Sequence, residues 1–158
     1  MKKTARILLT GFLVWTLLGC AAPAEPTPAD VQEANSMQIK LTVADTEWTV
    51  TLAENASAAA LLKLLESGPL TVAMRDYAGM EKVGPIGRDL PRSDEQITTG
   101  PGDLILYQGN ALVIYYAPNA WNFSRLGKID DVAQEELVSV LGSGDVEVTL
   151  SLMNEKGE

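Results

Sequence analysis

The sequence predicts a mainly β domain: a closed, mostly antiparallel barrel of about eight strands with two short helices. Three observations predict it. Short stretches of the chain alternate apolar and polar residues, as strands with one buried face do. Most of these stretches are joined by connections too short for a parallel crossover, so neighbouring strands are expected to pair antiparallel. A sheet of that size would expose two edges to other chains, and closing it into a barrel removes both.

The first predicted elements are a hairpin and a helix. Residues 37–43 (MQIKLTV) alternate, and residues 47–52 (EWTVTL) alternate again after a short turn, which predicts two paired strands. Asn55 is the predicted N-cap of a helix over 56–66, because its side-chain oxygen can accept a hydrogen bond from a free N–H group of the first turn. A Ser-Gly-Pro segment follows and ends the helix, since proline cannot continue it.

The next segment of the chain is less regular. Residues 70–75 alternate and predict a third strand, whereas residues 80–86 (MEKVGPI) are interrupted by a Gly-Pro pair. Because proline cannot donate a hydrogen bond to its neighbour in a sheet, we expect this weaker strand at a sheet edge. Residues 87–96 are polar and are predicted to form a loop.

The clearest hairpin lies in the middle of the chain. Residues 104–107 and 111–116 are two apolar runs, and the dipeptide Gly109-Asn110 between them favours a tight turn. The two runs are almost continuously hydrophobic, without the polar residue at every second position that a solvated face requires. The pattern therefore predicts strands that are buried on both faces.

The C-terminal part is predicted to contain a loop at 118–122, a strand at 123–129, a helix at 132–141 and a closing strand at 145–152. Asp131 is the predicted N-cap of the helix, and two glutamates follow near its positive end. The closing strand alternates strictly, with an apolar residue at every second position, which is typical of a strand that lines a core.

The composition excludes several classes of function. The chain contains no histidine, and its single cysteine is Cys20. The absence of histidine excludes Ser-His-Asp and Cys-His catalysis. Thiol redox chemistry and zinc sites built from Cys and His are excluded as well, because the predicted role of Cys20 is to carry a lipid anchor. We expect neither a metal nor a cofactor, so any catalysis would depend on carboxylates, Lys, Tyr, Ser or Arg. The net charge of −9 argues against nucleic acid as a partner, because an acidic surface repels phosphate groups.

The N-terminal segment predicts export and a lipid anchor. Lys2, Lys3 and Arg6 precede an apolar run that is too short to span a membrane comfortably but is typical of an export signal. The run ends at Leu-Leu-Gly-Cys, which resembles the bacterial lipobox, where a diacylglyceryl group is attached to the cysteine and the preceding peptide is removed. Acyl chains such as palmitate on Cys20 would hold the protein at the extracytoplasmic face of a bacterial membrane. The alternative is an ordinary signal peptide that contains a cysteine by chance.

The chain accordingly divides into four predicted parts. Residues 1–19 are the signal peptide, residues 20–36 the lipidated cysteine and a flexible linker, residues 37–153 the barrel domain, and residues 154–158 a tail. The linker contains three prolines and no apolar periodicity, so it buries little and is expected to separate the domain from the membrane. No internal repeat or second domain is predicted.

Several segments of the domain carry a family resemblance. They are the opening strands IKLTV and WTVTL, the helix-to-strand segment ALLKLLESGPLTVAMRD, the hairpin GDLILYQGNALVIYY, and the later segments SRLGKIDD and LGSGDVEVTLSL. In this order they resemble the cyclophilin-like β-barrel family of small bacterial proteins. The resemblance implies a fold related to the peptidyl-prolyl isomerases, where an arginine hydrogen-bonds the twisting X-Pro peptide and a phenylalanine-lined pocket holds the proline. It does not imply their activity, because the chain has no histidine and the neighbours of Arg75 do not reproduce the catalytic strand.

Aromatic and polar residues concentrate in the central hairpin and directly after it. Tyrosine, tryptophan and arginine side chains near one another are typical of recognition surfaces. The candidate ligand-binding residues are Tyr107, Tyr116, Asn122 and Arg125. The alternative is that Tyr115 or Tyr116 belongs to the core and that Trp121 covers a barrel end.

Two functions from different classes fit these observations. The first is a non-enzymatic binding module that presents a tyrosine-lined cleft to a peptide or a small molecule at the membrane surface. The second is a peptidyl-prolyl cis-trans isomerase of the cell envelope, a hypothesis that rests on fold analogy. An arginine guanidinium at an apolar pocket on the barrel wall would favour the second function.

Overall fold

The computed structural model describes residues 37–153, which form nine strands and two helices. The strands are β1 (Gln38–Val43), β2 (Thr46–Leu52), β3 (Leu70–Tyr77), β4 (Glu81–Pro85), β5 (Glu95–Thr98), β6 (Asp103–Tyr107), β7 (Ala111–Tyr115), β8 (Ala120–Ile129) and β9 (Val146–Leu152). The helices are α1 (Ala56–Leu65), between β2 and β3, and α2 (Gln134–Leu141), between β8 and β9.

Eight of the strands form a closed antiparallel barrel, which confirms the predicted fold class. Their order around the barrel is β2-β1-β9-β3-β4-β7-β6-β8, and pairing of β2 with β8 closes the circle through Val50 opposite Ile129. The ninth strand, β5, lies outside the barrel and pairs with residues 120–123 at the beginning of β8. We call β5 and residues 120–123 together the outer arm.

The main core fills the inside of the barrel. Every second residue of the strands points inward; on β1, for example, Ile39, Leu41 and Val43 are at most 2% exposed. The two helices add apolar side chains to this core, with Leu61 from α1 and Leu137 from α2 fully buried. Burial of this kind stabilises the fold by roughly 1.5–3 kcal/mol for each large side chain.

The two helices begin differently from one another. The Asn55 side chain accepts a hydrogen bond of 2.9 Å from the backbone N–H of Ala58, so the predicted N-cap of α1 is confirmed. The predicted N-cap of α2, Asp131, is wrong: the cap position is Ala133, which has no side-chain oxygen to offer. Asp131 instead adopts a φ of 50° in the connection that leaves β8.

A second apolar cluster lies on the outside of the barrel. Ile105 on β6, Val113 and Tyr115 on β7, and Phe123 on the outer arm are at most 4% exposed and contact one another. The outer arm covers this part of the wall, so β6 and β7 are buried on both faces, as their continuous hydrophobicity predicts. The arm therefore creates a covered outer surface that a plain barrel would not have.

Two predicted strand positions are wrong, and in both the tertiary structure overrides the local pattern. Strand β4 does not lie at an edge, because it pairs with β3 on one side and with β7 on the other. Gly84 makes the close approach to β3 possible: a Cβ atom at this position would lie 2.4 Å from the Ala73 carbonyl oxygen. The outer arm includes residues 95–98 and 120–122, parts of which the sequence predicted as loops.

The tight turn of the central hairpin is displaced by one residue from its prediction. Gln108 and Gly109 take the left-handed backbone conformation, with φ values of 51° and 86°. The turn closes through a hydrogen bond from the Asn110 backbone N–H to the Tyr107 carbonyl, 3.2 Å long. Glycine accepts this conformation without strain, which explains why the dipeptide signal locates the hairpin correctly.

The signal segment, Cys20, the linker and the tail lie outside the described residues, so the predictions for them and for the domain boundaries stay predictions. Within residues 37–153, no helix is both long and apolar enough to cross a membrane. The same residues contain no group of three or more His, Cys, Asp or Glu side chains arranged to hold a metal ion.

Candidate ligand-binding cleft

A cleft of about 360 Å³ lies between the outer wall of the barrel and the outer arm. We call it the outer cleft. Its floor is formed by β3, β4 and β7, and its sides by Tyr107 at the end of β6 and by Asn119, Trp121 and Phe123. The cleft has the size of a small-molecule site, since such sites usually measure about 300–1,000 Å³.

The strand register places the floor residues next to one another. Tyr77 of β3 lies opposite Glu81 of β4, and Glu81 lies opposite Tyr115 of β7. Two residues along, Arg75 lies opposite Val83 in the same way. Side chains alternate between the two faces of a strand, so all of these residues point away from the barrel core.

Five aromatic rings line the outer cleft. Tyr77, Tyr107 and Trp121 stand at its rim and are 59%, 41% and 63% exposed. Tyr115 and Phe123 are buried deeper, with ring centroids 5.7 Å apart and planes tilted by 52°. Exposed tryptophan and tyrosine offer large contact areas at a low entropic cost, which is why they are frequent at binding sites.

The polar groups of the floor affect one another's ionisation. Glu81 is 9% exposed, and its burial raises the pKa of the carboxyl group above the usual value. The neighbouring Tyr115 hydroxyl favours the ionised carboxylate, which opposes part of that rise in the pKa. Burial and the Glu81 carboxylate together raise the pKa of Tyr115, whose hydroxyl also accepts a 3.1 Å hydrogen bond from the Asn119 side-chain amide. The tyrosine therefore stays protonated at neutral pH.

Two opposite charges line the outer cleft without neutralising each other. Among residues 37–153, no Lys or Arg nitrogen lies within 4.0 Å of the Glu81 carboxylate, and Arg75 takes part in no ion pair. Arg75 lies diagonally from Glu81 across β3 and β4, a separation of about 7–8 Å at the backbone. Both charges are thus available to a ligand.

A similar group of residues lies on the inner side of the same strands. The Tyr116 hydroxyl donates a hydrogen bond to the Asp76 carboxylate. Lys82, which is fully buried, places its Nζ atom 3.3 Å from Asp76 Oδ1 and 2.8 Å from the Gly144 carbonyl oxygen. This inner cluster, Asp76, Lys82, Tyr116 and Gly144, joins β3, β4 and the connection between α2 and β9.

The four residues proposed from the sequence are not brought together. Tyr107 lies at the rim of the outer cleft. Tyr116 is 5% exposed and belongs to the main core, where it bonds Asp76, so it is not available to a ligand. Asn122 is exposed, but it points to the opposite face of the outer arm from Trp121 and Phe123.

Arg125 also lies away from the outer cleft. Its guanidinium forms a 2.6 Å ion pair with Asp103, a carboxylate that is 2% exposed. Asp103 additionally accepts a 2.7 Å hydrogen bond from the Gly100 backbone N–H. Arg125 therefore neutralises the buried Asp103 carboxylate, and this ion pair explains its position without a ligand.

Sequence reasoning missed Arg75, Tyr77, Glu81 and Asn119 as members of a site. The signal was present in part, because Arg75 ends one predicted strand and Glu81 and Val83 occupy alternate positions on the next, whereas Tyr77 lies beyond the predicted end of its strand at residue 75. Combining them required the pairing of β4 with both β3 and β7, which the prediction of an edge strand excluded. The alternative that Trp121 covers a barrel end is wrong, because Trp121 lines the cleft on the wall.

The comparison with protein families identifies the chain. A model described as the Cyclophilin-like family matches residues 41–151, which include all of the barrel except the first three residues of β1 and the last residue of β9. The chain belongs to this family. The resemblance noted in the sequence is thereby confirmed, and this cyclophilin-like barrel carries its outer cleft on the wall formed by β3, β4 and β7. No curated protein sequence matches the chain.

Two solved structures are similar to this cyclophilin-like chain in fold. The solution structure of the hypothetical protein AF2241 from Archaeoglobus fulgidus matches with a TM-score of 0.55 at 12% identity, over 77% of this chain and 98% of the other. McbB, solved in complex with tryptophan, matches with a TM-score of 0.52 at 19% identity, over 77% of this chain but only 46% of McbB. At these identities the likeness concerns the fold alone.

Proposed function

We propose that the protein is a membrane-anchored binding module whose ligand, a small molecule or a short peptide segment, occupies the outer cleft. The observation that carries the proposal is the lining of this cleft: exposed aromatic rings surround charged groups that have no ionic partner among the described residues. Apolar walls with a few polar groups that fix the ligand's orientation are typical of small-molecule sites.

A ligand screen on the full chain, purified in detergent, tests this proposal. A panel of metabolites and peptides is assayed by thermal shift, and tryptophan belongs in it because McbB was solved with that ligand. We expect at least one compound to stabilise the protein. Trp121→Ala should weaken its binding about tenfold or more, whereas the control Val138→Ala, an exposed apolar residue on α2, should not.

Two outcomes would contradict the binding proposal. The first is a panel in which no compound raises the unfolding temperature. The second is a stabilising compound whose affinity is the same for the wild type, Trp121→Ala and Tyr107→Ala, because such a ligand binds somewhere else on the molecule.

Prolyl isomerisation is a second candidate function, and one observation favours it. Arg75 lines the same cleft as Phe123 and Trp121, so an arginine does lie at an apolar pocket on the barrel wall. A guanidinium there could hydrogen-bond a twisting X-Pro peptide and stabilise it, lowering a barrier of roughly 20 kcal/mol. A protease-coupled assay on X-Pro peptides decides between the candidates: rates equal to the uncatalysed reaction, or equal rates for wild type and Arg75→Ala, rule the isomerase out.

The membrane anchor is proposed from the lipobox-like segment that ends at Cys20. Two or more acyl chains on one cysteine suffice for stable attachment. We expect the wild type to partition into the detergent phase and Cys20→Ser to remain in the aqueous phase or as an uncleaved precursor. Detergent partition that is unchanged by the serine substitution would contradict the anchor.

A further inference from the structure

We infer that the outer cleft recognises an organic ammonium group, which pairs with the Glu81 carboxylate and lies against the aromatic rings around it. The inference rests on the proposed binding function and names the chemical class of the ligand. Primary amines and quaternary ammonium compounds belong to this class, and so does a lysine side chain of a peptide.

The first argument is the position of the Glu81 carboxylate. Glu81 is 9% exposed and lines the outer cleft, but within residues 37–153 it has no cationic partner within 4.0 Å. Holding a carboxylate away from water costs free energy unless an opposite charge compensates it. A ligand cation would supply that compensation, and it would be favoured over a neutral compound of the same shape.

The second argument comes from the inner cluster, where a tyrosine and a carboxylate also lie together and a lysine ammonium accompanies them. Tyr116 and Asp76 form a tyrosine–carboxylate pair, and the Lys82 ammonium lies 3.3 Å from Asp76. In the outer cleft Tyr115 lies opposite Glu81 on the neighbouring strand, and within residues 37–153 no lysine accompanies them. A bound ammonium would complete the outer pair as the Nζ atom of Lys82 completes the inner one.

The third argument is the aromatic rim. Tyr77, Tyr107 and Trp121 are exposed around the carboxylate, and the faces of such rings attract cations by about 0.5–2 kcal/mol each when the cation lies against them. The chain also carries a net charge of −9, which attracts cations to its surface and repels anions.

Arg75 does not oppose this assignment. It lies diagonally from Glu81, and its exposed side chain also lines a neighbouring cavity that contains Asp145. Arg75 therefore borders two cavities, whereas of these two cavities Glu81 lines the outer cleft alone. An ammonium bound at Glu81 can remain on the Tyr115 side, away from the guanidinium.

Isothermal titration calorimetry of the full chain in detergent, with three probes of nearly the same size, tests the inference. The probes are 2-phenylethylamine, 2-phenylethanol and 3-phenylpropionate, which are cationic, neutral and anionic at pH 7. We expect the amine to bind at least tenfold more tightly than the alcohol, and the carboxylate most weakly. Glu81→Gln should weaken amine binding about ten- to a hundredfold and change alcohol binding less than twofold.

The control variant is Glu47→Gln, which removes the same charge from an exposed glutamate on β2 that pairs with Lys40. It should leave the affinity for the amine within twofold of the wild type. Equal binding of the amine and the alcohol, or an equal loss in Glu81→Gln and Glu47→Gln, overturns the inference while the binding function stands. If none of the three probes binds but a compound of the wider panel that lacks an ammonium group binds in the cleft, the inference is likewise overturned; if no compound of either set binds, both proposals fail.

Discussion

Two tyrosine–carboxylate pairs lie back to back in this domain, and they differ in what completes them. Tyr115 and Tyr116 are consecutive, so one hydroxyl reaches the outer cleft and the other the inner cluster. Glu81 and Lys82 are also consecutive and diverge in the same way. The lysine goes to the inner pair with Asp76, and the outer pair is left without a cation.

The pKa values of the two carboxyl groups shift in opposite directions. The hydrogen bond from Tyr116 lowers the pKa of Asp76, with help from the Gly79 N–H group and Lys82. Burial raises the pKa of Glu81, although Tyr115 is its neighbour. At Glu81 the effect of burial therefore outweighs that of the neighbouring Tyr115 hydroxyl, whereas at Asp76 the tyrosine hydrogen bond dominates. Asp76 of the inner pair is already paired with Lys82, whereas Glu81 of the outer pair can accept the cation of a ligand.

The largest expected effect is that of removing the inner cation. Lys82→Met should lower the unfolding temperature by about 5–10 °C, because the variant leaves Asp76 without its cation and the Gly144 carbonyl without its donor. Thermal unfolding followed by circular dichroism measures this. Lys40→Met, which breaks an exposed pair with Glu47, is the control and should change the temperature by no more than about 1–2 °C. Equal changes in unfolding temperature for the two variants would mean that the inner cluster stabilises the fold no more than an exposed ion pair does.

The two tyrosines provide a matched pair with intermediate effects. Tyr116→Phe should lower the unfolding temperature by about 3–6 °C, since it removes a hydrogen bond to a carboxylate in the completed cluster. Tyr115→Phe should cost about 1–2 °C, because Glu81 lines the open cleft and water can replace the hydroxyl. The reverse order would contradict the assignment of structure to the inner pair and recognition to the outer one.

The parts of the fold that depend on local sequence were predictable, and the parts that depend on strand pairing were not. The alternation of β1, β2 and β9 and the Asn55 cap report local backbone geometry, and the sequence located them within a few residues. The position of β4 depends on its pairing with β3 and β7, which no local pattern records; the Gly-Pro signal was therefore misread as an edge.

The candidate site was harder to predict than the fold for a related reason. Membership of the outer cleft depends on which face of each strand a residue occupies, and a shift of one position reverses the answer. Tyr116 and Asn122 were selected, but their neighbours Tyr115, Trp121 and Phe123 are the ones that line the cleft. The composition identified the segment of the chain that contributes to the cleft, but only the strand register shows which residues of that segment face it.

The smallest expected effect on stability is that of neutralising the outer carboxylate, and its sign is opposite to the others. The raised pKa means that folded Glu81 binds its proton more tightly than the unfolded chain does, so ionisation costs stability as the pH rises above about 4.5. Glu81→Gln lacks this cost. Its unfolding temperature should exceed that of the wild type by no more than about 1 °C at pH 7 and equal it below pH 4.

A pH series of thermal unfolding curves measures the difference between the two proteins. Glu47→Gln, on the exposed surface, is the control and should show no such pH-dependent gain. A Glu81→Gln variant that is less stable than the wild type at pH 7 would mean that the carboxylate is already compensated in the free protein.

The most direct test of the account is a carboxyl-carbon NMR titration of Glu81 and Asp76, with and without 2-phenylethylamine. The account predicts that the pKa of Glu81 lies above 4.5 in the free protein and falls when the amine binds, whereas the pKa of Asp76 lies below 3.8 and does not change. A Glu81 pKa that is already below 4.5 in the free protein, or one that a saturating amine leaves unchanged, would contradict the assignment of the outer pair as the ligand site.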